Sequence, residues 1–584
     1  MAPESQIQPA EEGGTEGNLG TRRVMLVCPP FQLDTVSSLS TAQLATFLRG
    51  RGVPCSEAYL HLDFARIMGT ARYRAATAEH NGRIGELLFA ERLHGSMADD
   101  AAQSRLAELF GPSSERRAML DELGARCLER VARERPELVG LTTSFCQLLP
   151  ALWIASVLKQ HYPSLVTVLG GAACAQPMGP RILEAYPQVD VVVGGFGERP
   201  LLALSRGPLE GRRFIGCCDP IDLEAMPIPD YEPFLRDAQS YGDTELPALA
   251  FQSSRGCWWG RKKHCTFCGL NGTDLRYSAK SSERVLHDVR ALWDRHGCNL
   301  FATDAILSRD HLKEVIPELG RFEAGPRVFY EIKTNLTQDD VTALGRARVA
   351  AQLGVESLST RLLGLLEKGV TGIRNVAVLK WCRERRVNAA WNLLCAIPGE
   401  RREEYDEQIR LMSKIPHLQP PTGLRNVAIH RYSPYFERYR DFGWQAIEPN
   451  SEFRLLHPHL DAPALRDIAY RFDGVGGVSS AEYFDRLCGA VREWQERNRR
   501  GDGLFLDREY GLMRQAQGVA RRVLVPPTFE RVLDATHDVA PIDRVLETAR
   551  CERSVLDRMV GQGFLYVEGG EAVNLAVRLR LDAQ

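Results

Sequence analysis

Three cysteines near the middle of the chain have the spacing and surroundings of metal ligands. Cys257, Cys265 and Cys268 follow one another as C-x7-C-x2-C within the segment Gln252–Gly269. Three thiolates on one loop can bind three irons of a 4Fe–4S cluster and leave the fourth iron open to a chelating molecule. Cationic side chains on this loop are expected to lower the pKa of the thiols and to balance the charge of the cluster. These side chains are Arg261, Lys262 and Lys263.

Two other interpretations of the cysteines are open. A zinc ion could bind the three thiolates together with His264. His264 adjoins Cys265, however, and two adjacent residues are awkward ligands for one tetrahedral ion. The cysteines could instead be unligated core residues, but a loop rich in Lys, Gly and His is poor core composition. The sequence favours an iron–sulfur cluster, with zinc as the main alternative.

The charge and composition of the whole chain restrict its class. Its 584 residues contain 73 Lys and Arg against 75 Asp and Glu, so no strong field points to nucleic acid or an anionic membrane. No apolar run approaches the roughly 20 residues that span a bilayer. Residues 1–21 are rich in Glu and Gly and predict a disordered tail rather than a signal peptide. With 15 scattered cysteines, we expect a multidomain cytoplasmic protein without a nucleic-acid or membrane partner.

An α/β domain is predicted over residues 22–215. Apolar strands alternate with helical segments, which predicts a doubly wound parallel sheet covered on both faces. A charged, helix-rich insertion covers residues 62–135. The pairs Gly170-Gly171 and Gly194-Gly195 follow strand ends, where such sheets bind ligands. The fingerprint G-x-G-x-x-G is absent, which argues against a dinucleotide, and a tight turn alone would explain any one of these glycines.

A proline-rich linker over residues 216–245 leads to a second alternating series. Six strands with helices between them predict a βα barrel, closed or partial, over residues 246–435. The strands fall near residues 249–254, 299–304, 328–334, 350–356, 388–397 and 424–432. Residues 436–504 form a mixed connecting region. Over residues 505–584, three helical runs and a hairpin predict a winged-helix-like unit, which either grips part of a substrate or only covers the barrel.

Polar side chains at the C-terminal ends of the barrel strands are candidate ligand-binding residues. Alternation along the third strand places Glu331 and Lys333 on one face. A single carboxylate at such a position is more often a cap or an ion-pair partner, but a set along one rim favours ligand binding. The other candidates are Thr303, Asp304, Glu356, Ser357 and Asn392.

The cysteine loop after the first strand of a six-unit barrel resembles the radical SAM superfamily. The segments Cys257–Gly260 and His264–Gly272 are similar to cobalamin-binding radical SAM enzymes that mature ribosomally made peptides. The resemblance implies a 4Fe–4S cluster and S-adenosylmethionine as cofactors, with the rim residues around S-adenosylmethionine. It also implies that Phe267 lies against the adenine. Gln352–Ser357 resembles the family's G-x-E-S segment, so Glu356 would bind the ribose or the methionyl ammonium.

The N-terminal domain resembles the cobalamin-binding domain of the same family. Its position before the barrel and the segments Gly82–Ala90 and Val192–Pro200 carry this resemblance. With the barrel included, the resemblance to the family covers about residues 22–440. The sequence lacks Asp-x-His-x-x-Gly, the motif that supplies a histidine to the lower face of the cobalt, and Asp294-Arg-His296 comes nearest. We therefore expect cobalamin without a protein histidine. The cobalamin-binding residues that the resemblance implies are Thr143, Ser144, Gly170, Gly171, Gly194, Gly195 and Glu198.

The resemblance implies a radical C-methyltransferase that acts on a peptide precursor. Cleavage of S-adenosylmethionine would generate a radical that removes hydrogen from an unactivated carbon, and this carbon would take a methyl group from methylcobalamin. An electron donor such as flavodoxin or ferredoxin is the second expected partner. One alternative is a radical SAM peptide maturase that epimerises, crosslinks or rearranges without methylation. Another is a zinc-stabilised winged-helix binding protein, against which the balanced charge argues.

Overall fold

A computed structural model describes residues 21–78, 83–95, 99–208, 211–216, 220–239, 247–270, 272, 275–476 and 481–579. The chain divides into two compact units. The first comprises Met1–Gln32 and Ser40–Ile221, and the second comprises Leu33–Leu39 and Asp222–Gln584. The division falls within the predicted linker, whereas the predicted tail lies outside the described residues except for Thr21.

A six-stranded parallel sheet forms the centre of the first unit, as the sequence predicts. Its order is β2-β1-β3-β4-β5-β6. Because the order reverses at β1, right-handed connections place helices on both faces, and the sheet is doubly wound. The sixth strand was not predicted, since its three residues begin with an arginine and give no apolar run. The strands are β1 (Val24–Val27), β2 (Cys55–Ala58), β3 (Leu138–Thr142), β4 (Val166–Gly170), β5 (Val191–Val193) and β6 (Arg213–Ile215).

Helices make up the described part of the predicted insertion and the connections between strands. The insertion brings apolar faces together: α6 is 22 residues long and buries Met119, Leu123 and Val131. The helices of the first unit are α1 (Leu39–Arg49), α2 (Leu60–Met68), α3 (Thr70–Ala78), α4 (Arg83–His94), α5 (Asp100–Phe110), α6 (Ser113–Glu134), α7 (Leu148–His161), α8 (Met178–Ala185) and α9 (Glu198–Arg206).

A second six-stranded parallel sheet lies in the other unit and confirms the predicted βα architecture. Its order is β14-β13-β12-β11-β10-β7, so successive strands are neighbours and β7 and β14 form the edges of a partial barrel. A short antiparallel pair, β8 (Ser254–Arg255) and β9 (Ser278–Ala279), follows the first strand. The parallel strands are β7 (Leu249–Phe251), β10 (Leu300–Ala302), β11 (Val328–Ile332), β12 (Ala350–Glu356), β13 (Asn388–Cys395) and β14 (Gly423–Asn426).

The helices of the partial barrel alternate with its strands. They place the C-terminal ends of the parallel strands at a common rim, where the connecting loops can form a site. These helices are α10 (Glu232–Gln239), α11 (Trp258–Lys262), α12 (Ser282–His296), α13 (Arg309–Leu319), α14 (Gln338–Arg346), α15 (Thr360–Leu365), α16 (Gly372–Glu384) and α17 (Arg402–Lys414).

The edge strand β7 is covered by an early segment of the chain. Val36 forms a parallel bridge with Ala248, and the Ser37 hydroxyl accepts a hydrogen bond of 2.8 Å from the Ala250 amide. Leu33–Leu39 therefore belongs to the second unit although it precedes most of the first. Covering an edge in this way removes unpaired backbone groups from solvent.

A small antiparallel sheet that the sequence did not reveal lies in the connecting region, except for its first strand, which falls within the barrel strand predicted near residues 424–432. Its strands are β15 (Ile429–His430), β16 (Ala446–Pro449) and β17 (Arg471–Val475), in the order β15-β17-β16. These strands are short and partly charged, so neither period 2 nor an apolar run marks them. The accompanying helices are α18 (Pro434–Glu437), α19 (Glu452–Leu456), α20 (Ala462–Ile468) and α21 (Ala481–Arg499).

The C-terminal region contains the predicted three helices and hairpin, together with a sheet that was not predicted. The helices are α22 (Pro527–Ala535), α23 (Ile542–Ala549) and α24 (Arg553–Gly561). The hairpin strands β22 (Leu565–Glu568) and β23 (Glu571–Asn574) pair with β21 (Ala540–Pro541). The additional sheet has the order β20-β19-β18-β24 and consists of β18 (Gly503–Asp507), β19 (Gly511–Ala516), β20 (Val519–Arg522) and β24 (Val577–Arg578).

Buried polar contacts fasten this C-terminal region to the partial barrel. The Lys380 ammonium, fully buried on α16, donates to the carbonyls of His537 (2.7 Å) and Asn574 (3.1 Å). The Glu384 carboxylate accepts a hydrogen bond of 2.9 Å from the Arg578 amide. Burying such groups is costly unless they are paired, so these contacts fix the two parts together. They support the interpretation that the region covers the barrel.

Among the described residues, no helix is both long and apolar enough to cross a membrane.

Candidate functional site

The cysteine loop is closed at its base by the β8–β9 pair. Ser254 pairs with Ala279 and Arg255 with Ser278, which brings the two ends of the loop together. Gly256 has φ +84°, and a Cβ atom on it would lie 2.0 Å from the Arg276 carbonyl oxygen. Only glycine permits this close approach, so Gly256 determines how the loop leaves the barrel.

Two tryptophans attach the loop to the rim on opposite sides. The Trp258 indole N–H donates to the Leu307 carbonyl, and that of Trp259 donates to the Glu367 carbonyl, both at 3.0 Å. Gly369 accommodates the Trp259 ring, because a Cβ atom there would lie 2.3 Å from it. The aromatic rings therefore fix the loop against the segments that follow β10 and β12.

The three thiols are half-buried and influence one another electrostatically. Burial raises the pKa of the Cys268 thiol to about 12, and the charges of Cys265 and Cys257 act in the same direction. Burial also raises the pKa of Cys265 above its ordinary value. Without a metal, the thiols of Cys265 and Cys268 would stay protonated at neutral pH. A bound iron cation would stabilise the thiolates, so the donor set suits a cationic metal cluster.

The zinc interpretation requires Cys257, His264, Cys265 and Cys268 to converge on one ion. Within the part of the chain that the structure describes, no group of three or more Cys, His, Asp or Glu side chains is arranged to hold a metal ion. A tetrahedral zinc site demands such convergence. In a 4Fe–4S cluster each thiolate binds a different iron, so the sulfur atoms need not meet at one point.

The cations that act on the thiols are Lys368 and Lys333, rather than the loop's own basic residues. Both lysines lower the pKa of Cys265 through their charge, in opposition to burial. The sequence predicted that Arg261, Lys262 and Lys263 would lower the pKa of the thiols. That prediction is wrong, because Lys263 pairs with Glu367 at 3.1 Å and the side chains of Arg261 and Lys262 are exposed to solvent. Lys368 lies between two helices, where no local sequence pattern singles it out.

A largely buried ion pair joins the end of the fourth strand to Lys368, which lies beside the cysteine loop. The Lys368 ammonium lies 3.2 Å from the Glu356 carboxylate and 6.0 Å from the centre of the Phe267 ring. Although burial acts to lower it, the charges of Glu356 and Cys265 raise the pKa of Lys368. Glu356 has φ +58° beside an irregularity in the β12–β13 register. A strained backbone at a strand end is typical of functional residues.

The third strand places two more charged side chains next to the ion pair of Lys368 with Glu356. Burial, followed by repulsion from Glu356, raises the pKa of Glu331 to about 7. Burial, together with repulsion from Lys368, lowers the pKa of Lys333 to about 8. The Lys333 ammonium also donates to the Lys368 carbonyl and lies 4.2 Å from the centre of the Trp259 ring. The structure thus brings Glu331, Lys333, Glu356 and Phe267 together as predicted neighbours of the cysteines.

The remaining rim candidates already have partners within the barrel. The buried Asp304 carboxylate accepts from the Ser253 amide (2.9 Å) and the Ser254 hydroxyl (2.8 Å), so it fixes the strand that enters the loop. The Ser357 hydroxyl donates to the Gln408 side-chain oxygen at 2.9 Å. Thr303 is exposed after β10. Asn392 lies beside β14, since a Cβ atom on Gly423 would be 2.7 Å from its side-chain oxygen.

Most of the candidate cobalamin-binding residues lie at the C-terminal ends of strands β3, β4 and β5 of the N-terminal sheet. Thr143 and Ser144 follow β3, and the two glycine pairs end or follow β4 and β5. The Thr143 amide donates to the Gly170 carbonyl at 2.7 Å, and a Cβ atom on Gly171 would lie 2.2 Å from the Thr143 carbonyl oxygen. Gly194 similarly makes room for the Phe214 ring.

Gly171 and Gly194 are therefore required by the packing of the domain itself, whereas a Cβ atom on Gly170 would make only an ordinary contact of 3.8 Å with Val193. Ser144 is half-buried and bonds Gln147, Gly195 is exposed, and Glu198 is buried at the start of α9. The edge combines small residues, hydroxyls and backbone groups at the strand ends, which is where doubly wound sheets bind ligands.

Residues 251–412 match the family model of the Radical SAM superfamily. The chain contains a radical SAM domain. Such a domain implies a 4Fe–4S cluster and S-adenosylmethionine, and the matched residues include all three cysteines of the loop.

Sequence similarity to known proteins extends beyond this domain. The chain is 22% identical over 318 residues to an uncharacterised methyltransferase of Pyrococcus horikoshii. This alignment covers 48% of the chain and 64% of the relative, so the chain spans less than two thirds of the relative's length.

Two solved structures share the fold of both units at low sequence identity. One is OxsB, a cobalamin-dependent S-adenosylmethionine radical enzyme, solved with aqua-cobalamin and S-adenosylmethionine bound. Its superposition has a TM-score of 0.55 at 13% sequence identity and covers 93% of this chain and 71% of the OxsB chain. The other is TsrM from Kitasatospora setae, a radical S-adenosylmethionine methyltransferase, solved with cobalamin and a 4Fe–4S cluster bound. Its superposition has a TM-score of 0.52 at 15% sequence identity and covers 82% of this chain and 89% of the TsrM chain. At these identities the likeness shows the α/β fold.

Alanine at Cys257, Cys265 or Cys268 is expected to abolish cluster assembly and cleavage of S-adenosylmethionine, because a three-thiolate site has no spare ligand. Iron analysis after anaerobic reconstitution and quantification of 5′-deoxyadenosine test this. Cys298→Ala is the matched control, since Cys298 is buried after α12 outside the loop and its loss should cost only packing. Full cleavage by Cys265→Ala would contradict the assignment.

The affinity for S-adenosylmethionine is expected to rise as the pH increases through about 7. Burial raises the pKa of Glu331 to about 7, so its carboxylate becomes charged in this range and then attracts the cationic molecule. Lys333, whose pKa is lowered to about 8, loses its charge at slightly higher pH and acts in the same direction. Glu331→Gln should remove the rise near pH 7 in anaerobic binding titrations. A profile identical to that of the unmodified protein would show that Glu331 does not face the ligand.

Proposed function

We propose that the chain is a cobalamin-dependent radical SAM enzyme that methylates an unactivated carbon of a ribosomally made peptide precursor. The radical SAM domain supplies the general class of chemistry. Cobalamin is supported by the parallel sheet before that domain, which OxsB and TsrM share as part of their fold and which those two proteins combine with bound cobalamin. This pairing of the two folds in one chain is the observation that carries the proposal.

Different residues at the rim would bind the iron–sulfur cluster and S-adenosylmethionine. Cys257, Cys265 and Cys268 would hold the cluster, and the Lys368 charge would offset the negative charge of their thiolates. Glu356 and Glu331 would bind the cationic and hydroxyl groups of S-adenosylmethionine. When bound, the cluster and cobalamin supply one-electron cleavage of S-adenosylmethionine and a transferable methyl group, respectively.

Burial of the site is the protein's own contribution to the chemistry. Lys333 and Lys368 are 6% and 8% exposed, so the cluster of charges is largely shielded from water. In such surroundings fixed charges act strongly, and reactive species are protected from solvent. The ion pair of Lys368 with Glu356 fixes the carboxylate, so the bound molecule is oriented rather than merely attracted.

At the N-terminal sheet, Ser144, Gly195 and the backbone at the ends of β4 and β5 would contact cobalamin. The resemblance of Val192–Pro200 to cobalamin-binding domains supports this assignment. A protein histidine on the cobalt is not part of the proposal, because the sequence lacks Asp-x-His-x-x-Gly. The peptide precursor and an electron donor such as flavodoxin or ferredoxin are proposed from the resemblance of the cysteine loop alone.

Methylation is expected when the reconstituted protein is incubated with a reductant, S-adenosylmethionine, methylcobalamin and a candidate precursor encoded beside its gene. Mass spectrometry should show a product heavier by about 14 Da, the mass that one methyl group adds. A deuterated methyl group on S-adenosylmethionine should appear in the product, and leaving out cobalamin should prevent the gain.

Two outcomes would overturn parts of the proposal. A product of equal or lower mass would identify the non-methylating maturase instead. Cleavage of S-adenosylmethionine without any change in the candidate precursors would contradict the peptide substrate. Cys265→Ala serves as the negative control, because it should remove the cluster and leave the peptide unmodified.

A further inference from the structure

One carboxylate of the C-terminal hairpin bonds to the starts of two barrel helices. The Glu568 oxygens accept hydrogen bonds from the Thr360 amide at 3.2 Å and from the Ile373 amide at 2.8 Å. Thr360 begins α15 and Ile373 is the second residue of α16. The first amides of a helix have no partner within the helix, and a negative charge there is favourable. Glu568 therefore holds both helix starts at once.

The local sequence is adapted to this contact. A Cβ atom on Gly372 would lie 2.2 Å from the Leu358 carbonyl oxygen and 3.1 Å from the Glu568 carboxylate, so glycine lets the carboxylate reach the helix. Glu568 also lies directly opposite Glu571 in the hairpin. Like charges in this position destabilise a hairpin. A stabilising contact elsewhere offsets this repulsion for Glu568.

The segment between the two helices is the surface on which the cysteine loop rests. The Thr266 amide donates to the Leu366 carbonyl at 3.3 Å, and its hydroxyl donates to the Leu365 carbonyl at 3.2 Å. The Trp259 indole bonds the Glu367 carbonyl, and Lys368 faces both Glu356 and Cys265. A shift of this segment would therefore move the thiols and the Lys368 charge together.

We propose that Glu568 is a positioning residue for the cluster site, through which the C-terminal region sets the geometry of the cysteine loop. The contacts run from Glu568 to the starts of α15 and α16, then to residues 365–369, and then to Thr266 and Trp259. The buried contacts of Lys380 and Glu384 hold the rest of α16 against the same region. The part that concerns the cluster rests on the proposed function.

Glu568→Gln is expected to loosen the cysteine loop while leaving the protein folded. The amide has one acceptor oxygen in place of two and presents N–H groups to a backbone N–H. Hydrogen exchange followed by mass spectrometry should speed up in residues 359–373 and 257–268 but not in β10 and β11. In the reconstituted protein, S-adenosylmethionine should bind about tenfold more weakly, as expected for a lost charged hydrogen bond. The paramagnetic resonance spectrum of the reduced cluster should also differ from that of the unmodified protein.

Glu571→Gln is the matched control, because Glu571 lies opposite Glu568 in the hairpin without contacting the helix starts. It relieves the repulsion within the hairpin but should leave exchange in the cysteine loop, the binding of S-adenosylmethionine and the spectrum unchanged. Glu568→Asp keeps the charge but is shorter, so an intermediate effect is expected, and this variant replaces Glu568→Gln if that protein does not fold. Faster exchange confined to the hairpin, with unchanged cysteine-loop exchange, would overturn the proposal. Since exchange is measured without iron, this result is distinct from a failure of the unmodified protein to bind a cluster, which would contradict the proposed function.

Discussion

The buried ion pair of Lys368 with Glu356 is the interaction on which the site depends. It lies between the fourth barrel strand, the cysteine loop and the segment before α16. Breaking a buried pair by removing one partner typically costs about 3–5 kcal/mol, because the other charge is left uncompensated. The same lysine opposes the rise in the pKa of Cys265 that burial causes. One side chain thus serves both the carboxylate that would bind S-adenosylmethionine and the thiols that would bind iron.

Backbone strain and close packing around this ion pair indicate a preorganised ligand-binding site. Glu356 has a left-handed backbone at its strand end, and Gly256 and Gly369 permit approaches that a Cβ atom would forbid. Such conformations persist only where surrounding contacts enforce them. The enforcing contacts come from other parts of the chain, as with Arg276 at Gly256 and Trp259 at Gly369. The proposed role of Glu568 would add the C-terminal region to the support of the site.

The sequence predicted the parallel sheets well because many of their strands are near-continuous apolar runs, as in Val24–Val27 and Val191–Val193. It missed the additional sheet of the C-terminal region, including Val519–Arg522, which is exposed throughout and has no apolar face. The three candidate cysteine ligands were evident from local spacing. Lys368 and Glu568 could not be found in this way, because their roles arise from contacts between elements far apart in the sequence. The cations of the loop were predicted for the same local reason and proved to face solvent or Glu367.

The central claim is that three thiolates leave one iron open and that S-adenosylmethionine binds that iron. Electron–nuclear double resonance on the reduced, reconstituted protein with nitrogen-15-labelled S-adenosylmethionine tests this directly. The account predicts a hyperfine coupling between the cluster and the labelled amino nitrogen. A reduced 4Fe–4S signal that shows no coupling to the label at saturating S-adenosylmethionine would contradict it.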